Sequence, residues 1–323
     1  MKKFSEVIDY YYSELNPIVK ELDQKRQKVK QKIIGWTIVL ALAVVVLVGG
    51  IVSVSDESDP FGTVITLAVL GLGGFGIIYK ILTKDYSTEF KLRVIEPLIK
   101  FIDHNLTYLP SSTIPQYIFE RSKIVTQKID RYSGDDLVKG VIDDVKIEFC
   151  DLHVEKEYED SKGNSQYQTL FQGIFVRAEF PKHFYARTIV LPDNAEKIFG
   201  SYIGKILQSY NFGEEKLVKL DNPEFEKHFV VYSSDQIEAR YILSHSMMQR
   251  ILTFRKKVGH DLSFSFVGGE MFVGVHYNKD SLEASIFGSL LEYKIAKEFV
   301  ESLYYSLGIV QELQLNQKLW SKR

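Results

Sequence analysis

Two apolar runs, IIGWTIVLALAVVVLVGGIVSV (Ile33–Val54) and FGTVITLAVLGLGGFGIIY (Phe61–Tyr79), flank the acidic turn Ser-Asp-Glu-Ser-Asp-Pro (Ser55–Pro60). The first holds 22 residues without a charge, and at about 1.5 Å per residue it matches a hydrocarbon core of about 30 Å. The second holds 19 and continues through Lys80, whose long side chain can snorkel, to Leu82. Neither carries a polar stripe beyond Thr and Gly, so a transmembrane hairpin is expected rather than a pair of amphipathic core helices.

Basic residues crowd both outer flanks of this pair. Lys20, Lys25, Arg26, Lys28, Lys30 and Lys32 come before it, Lys80, Lys84, Lys91 and Arg93 close or follow it, and the turn carries none. The positive-inside rule then places both termini in the cytoplasm of a multi-pass plasma-membrane protein, with the lipid bilayer as first partner. About 240 residues follow in the cytosol.

Formal charge is balanced, 40 basic against 42 acidic residues, with no basic stripe bearing interleaved aromatics, so nucleic acid is not an expected partner. The single cysteine, Cys150, cannot form an intramolecular bridge, which suits a reducing compartment. No secretory signal is expected, because a charged 32-residue segment precedes a span of full length.

The expected organisation is 1–32 as a cytosolic amphipathic helical segment, 33–82 as the hairpin, 83–130 as a juxtamembrane helical connector, and 131–323 as a cytosolic α+β domain. Before the membrane, Phe4, Ile8, Tyr11, Leu15, Ile18 and Leu22 recur at spacings of four and three, the seam of an association helix, with Pro17 as a kink or restart. Such a seam needs a covering surface: the helix after the hairpin, a second copy of the chain, or lipid. After the membrane, Phe90, Val94, Leu98, Phe101 and Ile102 mark another amphipathic helix, with Pro97 as a kink.

Leu109–Pro115 reads as a linker and Arg131–Gly140 as a loop with two glycines. Val145, Ile147 and Phe149 alternate, then Leu152 and Val154 on the other parity, which suggests a bulge or bend at Phe149–Cys150. Residues 158–168 read as a hairpin loop. Leu170–Phe180 and Phe184–Leu191 read as two strands of an antiparallel meander joined at Pro181–His183, and residues 262–277 as a hairpin turning at Gly268–Gly269. Helices are expected from Asp193 to about Tyr210, after the Asn222-Pro223 cap, over Asp235–Leu243, over Met247–Val258 with Ser246 as cap, and from Ser289 to Trp320 with an interruption at Gly308.

No motif that carries chemistry stands out in the chain. Gly71, Gly73 and Gly76 match the dinucleotide fingerprint G-x-G-x-x-G, but they lie within an apolar span rather than after a strand, and close helix approach accounts for them better. Asp221, Glu224, Glu226 and His228 form the densest set of possible metal ligands, yet at those spacings they point to different sides of a short helix. Asp235, His245 and Ser246 supply the residue types of a hydrolase triad, but Ser246 is more simply a helix cap. Cys150 lies in a strand beside Asp151, which would raise its thiol pKa. Glu238 and Arg240 lie two apart on a helix and each needs a partner elsewhere. Catalytic residues are therefore unknown, and no cofactor and no metal are expected.

The stretch Val218–Leu243 (VKLDNPEFEKHFVVYSSDQIEARYIL), together with Arg131–Gly140, Leu170–Asp193 and Ile309–Trp320, resembles an uncharacterised bacterial domain-of-unknown-function family with a paired transmembrane hairpin near its N-terminus. The resemblance implies a bacterial membrane protein and no activity. The expected function is a membrane-anchored cytosolic binding or scaffold protein, with a protein partner at the membrane or self-association; the alternative is a membrane-associated enzyme. A cleft joining groups such as Asp235 and His245 would favour the enzyme, an exposed aromatic patch the scaffold.

Overall fold

The computed structural model describes residues 1–54, 60–160, 162–193, 215–277, 285–313 and 315. The acidic turn, the helix expected from Asp193 to Tyr210 and the end of the chain beyond 315 lie outside the described residues, as do the side chains over much of the second apolar run. The fold is mixed α+β. The chain divides into two compact units, one of residues 8–97 with 283–297, the other of residues 1–7, 98–282 and 298–323.

The first unit is built on two long helices. α1 (Phe4–Tyr10) leads through a π turn (Tyr11–Leu15) into α2 (Asn16–Val54); α3 (Pro60–Phe90) leads through a second π turn (Lys91–Ile95) into α4 (Glu96–Ile102), with residues 4–7 of α1 and 98–102 of α4 belonging to the second unit. Each π turn ends two residues before a proline, Pro17 or Pro97. Proline lacks an N–H and its ring collides with the carbonyl four residues back, and a locally widened turn lets the helix continue past it. α2 and α3 lie antiparallel: Arg93 holds Glu21 with two hydrogen bonds of 2.9 and 2.6 Å, Lys25 meets Glu89 at 2.6 Å, and a Cβ on Gly71 would sit 3.4 Å from Val44 Cγ2. The π turn also shifts the apolar seam. Tyr11, Leu15, Val19 and Leu22 are buried, whereas Ile8 and Ile18 are only half-buried.

Above that seam the surface becomes apolar and open. Ile34, Trp36, Ile38, Val39, Leu42, Val45, Val46 and Leu47 are between 45% and 71% exposed. Among the described residues one helical run, Phe4–Gly50, is long and apolar enough to cross a membrane, with a mean hydropathy of 2.6 in a window of which 6% is buried.

The second unit is a twisted antiparallel sheet with helices. Its strands are β1 (Leu106–Leu109), β2 (Arg131–Ile142), β3 (Val145–Glu159), β4 (Ser165–Pro192), β5 (Lys216–Leu217), β6 (Phe229–Ser233) and β7 (Asp261–His276). Its helices include α5 (Gln116–Ser122), α6 (Pro223–Glu226), α7 (Gln236–Ile242) and α8 (His245–Val258); α9 (Tyr293–Glu312) contributes its larger part. The sheet order is β1-β2-β3-β4-β6-β5, with β7 against β4.

β7 cannot be straight. Ser263 and His276 are 13 residues apart, about 43 Å of extended chain. Their side chains nevertheless lie 2.8 Å apart. The strand therefore turns back at Gly268–Gly269, where Gly268 has φ +63, as the glycine pair predicts. Residues Glu270–His276 pair antiparallel with Gly173–Glu179, and Phe264–Phe266 pair antiparallel with Thr188–Val190. Because the halves of β7 run in opposite directions, β4 must also reverse, between Glu179 and Thr188, around the β7 tip. The expected strands 170–180 and 184–191 thus run antiparallel, but the β7 hairpin is inserted between them. Phe180, Phe184 and Phe266 close the tip, with ring centroids 4.8 to 5.8 Å apart.

Arg131–Gly140 is strand, not loop, with a bulge between Asp135 and Val138 where Asp136 adopts φ +58. Its glycines serve close packing: a Cβ on Gly134 would lie 2.3 Å from Asp151 O, and one on Gly140 2.3 Å from Asn105 O. The parity change at Phe149–Cys150 is not a bulge, since β3 pairs with β4 without interruption from Ile147 to Val154. Both residues are buried because both faces of the strand are covered there. On one face Ile114, Ile118, Phe119, Ile124 and Val125 pack over Cys150, Leu152, Val154, Phe171 and Phe175. α9 runs through Gly308 without interruption.

Candidate functional site

Cross-strand register assembles a row of charges on the open part of the β1–β4 face. Lys139 on β2 stands opposite Glu148 on β3, which stands opposite Arg177 on β4. Arg177 Nη1 donates to Glu148 at 2.9 Å and Nε donates to Glu270 at 2.6 Å, and Glu270 also takes Arg121. Alongside, Lys146 pairs with Glu179 at 3.0 Å. Lys139, Lys146, Glu148, Arg177 and Glu179, with Asn105, Thr107 and Val141, line a groove of about 380 Å³. Arg177 and Lys146 are committed to carboxylates, whereas Lys139 is exposed and forms no ion pair among the described residues. Among the described residues the groove therefore offers one cation without an ion pair, beside the Thr107 hydroxyl and the Asn105 amide. Alternating polar positions 146/148 and 177/179 were the only sequence signal for it.

The residues considered from sequence lie elsewhere. Asp235 caps α7, accepting from Ile237 N at 2.7 Å and Glu238 N at 3.0 Å. The cap of α8 is Ser244, whose Oγ accepts from Met247 N at 3.3 Å, and not Ser246. Placing the cap two residues earlier leaves His245 and Ser246 exposed on the first turn, with no hydrogen bond joining them to Asp235. Glu238 accepts from the backbone of Tyr185 and Ala186 at 3.2 and 2.7 Å, fastening the reversal of β4, while Arg240 bonds Gln236. Near Asp221, Glu226 accepts from Leu220 N and Glu224 pairs with Lys256, so those carboxylates diverge. Gly71, Gly73 and Gly76 all lie inside α3, where no strand precedes them.

Cys150 accepts from Thr113 Oγ1 at 3.3 Å and Ile114 N at 3.4 Å; burial, partly opposed by these bonds, pushes its thiol up to about 12, and a thiolate nucleophile is disfavoured. One contact escaped the sequence reading: Ser263 Oγ lies 2.8 Å from His276 Nε2, near Asp261. Burial pulls His276 down to about 4, so the ring is neutral, and Ser263 is fully buried. The pair therefore satisfies buried polar groups on β7 and does not face a substrate. Exposed apolar side chains gather instead at Tyr185, Ile237 and Tyr241, around the β4 reversal and α7.

Residues 169–315, from β4 to the end of the described chain, match a family model described as a protein of unknown function (DUF3137). The match supports the resemblance to an uncharacterised family. No curated protein matches the chain. Among solved structures the mycobacterial trehalose monomycolate transport factor A, TtfA, is similar over 64% of this chain and 91% of its own, with a TM-score of 0.34 and 11% identity.

Proposed function

We propose that this chain is a membrane-anchored binding protein: α2 and α3 cross a plasma membrane as a hairpin, both termini are cytoplasmic, and the sheet unit binds a ligand or protein partner on the cytoplasmic side. The observation that carries this reading is the belt from Ile34 to Leu47, whose large apolar side chains are turned outward on a helix of membrane-spanning length. Such a surface is stable facing acyl chains and costly facing water. A cation without an ion pair among the described residues, in a groove whose other lining charges are paired, suits a ligand that places a carboxylate or phosphate at Lys139. The enzyme alternative has no comparable support, since Ser263 is buried and Cys150 is protonated.

Replacing Leu42 and Val46 together with Arg tests the anchor, because each arginine near the centre of a span opposes insertion by roughly 2.5 to 3.5 kcal/mol. The native chain should stay with membranes washed in alkaline carbonate and the double variant should not. Retention of both forms would count against the spanning reading.

A further inference from the structure

We infer that Phe287 is a second, interfacial membrane contact, seated among lipid headgroups at the cytoplasmic end of the α2–α3 pair. This rests on the spanning reading above and adds to it a segment about 230 residues downstream of α2. The stretch from Ser285 to Tyr293 runs down the outside of α2 and is fixed there by named bonds. Arg26 Nη1 donates to Ile286 O at 2.8 Å, Ser289 Oγ donates to Asp23 at 2.6 Å, and Tyr11 OH donates to Leu290 O at 3.1 Å. Tyr12 stacks on Tyr293 with centroids 5.9 Å apart.

The upper end of this stretch is a tight turn in which Ser285 Oγ accepts from Phe287 N and Gly288 N at 3.2 and 3.1 Å. The turn buries Ile286 and presents Phe287, 58% exposed, outward. The Phe287 ring lies 5.9 Å from Lys30 Nζ. Lys30 precedes Ile34, the first residue of the outward apolar belt, by four residues, about 6 Å of helix. The headgroup layer on each side of a hydrocarbon core is about 5 to 8 Å thick. Phe287 is therefore level with headgroups, and its surface continues the lipid-facing belt.

The charges agree. Lys28, Lys32, Lys80 and Lys84 are exposed, and the antiparallel register that pairs Lys25 with Glu89 brings Lys84 level with Lys30. An aromatic ring among lysines at this depth matches an anionic lipid interface rather than a protein groove.

The test uses full-length protein in vesicles of phosphatidylcholine and phosphatidylglycerol. An environment-sensitive fluorophore is attached to cysteine at Phe287→Cys, Leu42→Cys or Tyr117→Cys, each in a Cys150→Ser background. Nitroxide lipids labelled near the headgroup should quench the probe at 287 more than lipids labelled at the acyl-chain end, and aqueous iodide should quench it several-fold less than the probe at 117. The probe at 42 should prefer the deep quencher. Full iodide access at 287, with lipid quenching retained at 42, would overturn this inference alone; loss of lipid quenching at 42 would overturn the spanning reading and this one together.

Discussion

Removing the carboxylate of Asp23 should detach the segment 285–297 from the helix pair. Asp23 and Arg26 are both 8% exposed in their side chains, joined at 2.8 Å, and the carboxylate also receives Gln27 at 2.8 Å and Ser289 at 2.6 Å. Burial raises the Asp23 pKa, but these three bonds outweigh it and leave the group below its ordinary value, hence ionised at neutral pH. Asp23→Ala leaves Arg26 buried without its partner, which costs about 3 to 5 kcal/mol. At 1.4 kcal/mol per factor of ten, amide exchange in peptides covering 285–297 should accelerate by about two to four powers of ten in detergent-solubilised protein. Replacing the pair together, Asp23→Leu with Arg26→Met, should restore most thermal stability, since an apolar exchange of a buried pair is often neutral. Protection of 285–297 should remain low in that variant, because both tethers to Ile286 and Ser289 are gone. A change below about tenfold for Asp23→Ala, roughly 1.4 kcal/mol, would refute the latch.

Burial holds His276 at about 4, below its ordinary value, so the folded state binds fewer protons than the unfolded state. Stability should be fully present above about pH 6.5 and fall by up to about 3 kcal/mol as pH drops to 4, and His276→Gln should flatten that part of the profile of thermal unfolding against pH. Gly173 has φ +141 and a Cβ there would lie 2.1 Å from Val275 O, so Gly173→Ala should lower stability in denaturant titration by more than the roughly 1 kcal/mol expected of Gly259→Ala, where φ is +72 but the space is open. Phe119 is fully buried against Tyr132, Phe171 and Phe175. Phe119→Ala should cost about 3 to 5 kcal/mol by the same titration, and Tyr117→Ala, two residues away and exposed, less than about 0.5.

The parts of this fold that could be read from sequence are those set by local chemistry. Uncharged runs announce the long helices, Asn222 before Pro223 announces α6, with Asn222 Oδ1 accepting from Phe225 N at 3.1 Å, and Gly268–Gly269 announces a reversal. Non-local packing hid the rest. Gly134 and Gly140 look like loop residues because the contacts that exclude a Cβ come from Asp151 and Asn105 on neighbouring segments. The charge row joins Lys139, Glu148 and Arg177 through strand register and reaches Arg121 and Glu270 through side-chain pairing, so no spacing within one segment betrays it. Asp23 and Arg26 read as part of a basic flank, because the residues that bury them, Ile286 and Ser289, lie at the far end of the chain. The seam before the first apolar run was legible as a pattern, but its covering lies within the chain, in the unit that α2 shares with Phe90, Val94 and Ile95.

The central claim, a hairpin with the sheet unit on the cytoplasmic side, is tested most directly by cysteine accessibility in intact cells. Single cysteines at Ser58→Cys, in the acidic turn, and Ser165→Cys, exposed at the start of β4, are introduced into a Cys150→Ser background. An impermeant thiol reagent should label position 58 at once and position 165 only after the cells are opened. Labelling of 165 in intact cells, or protection of 58, would contradict the account.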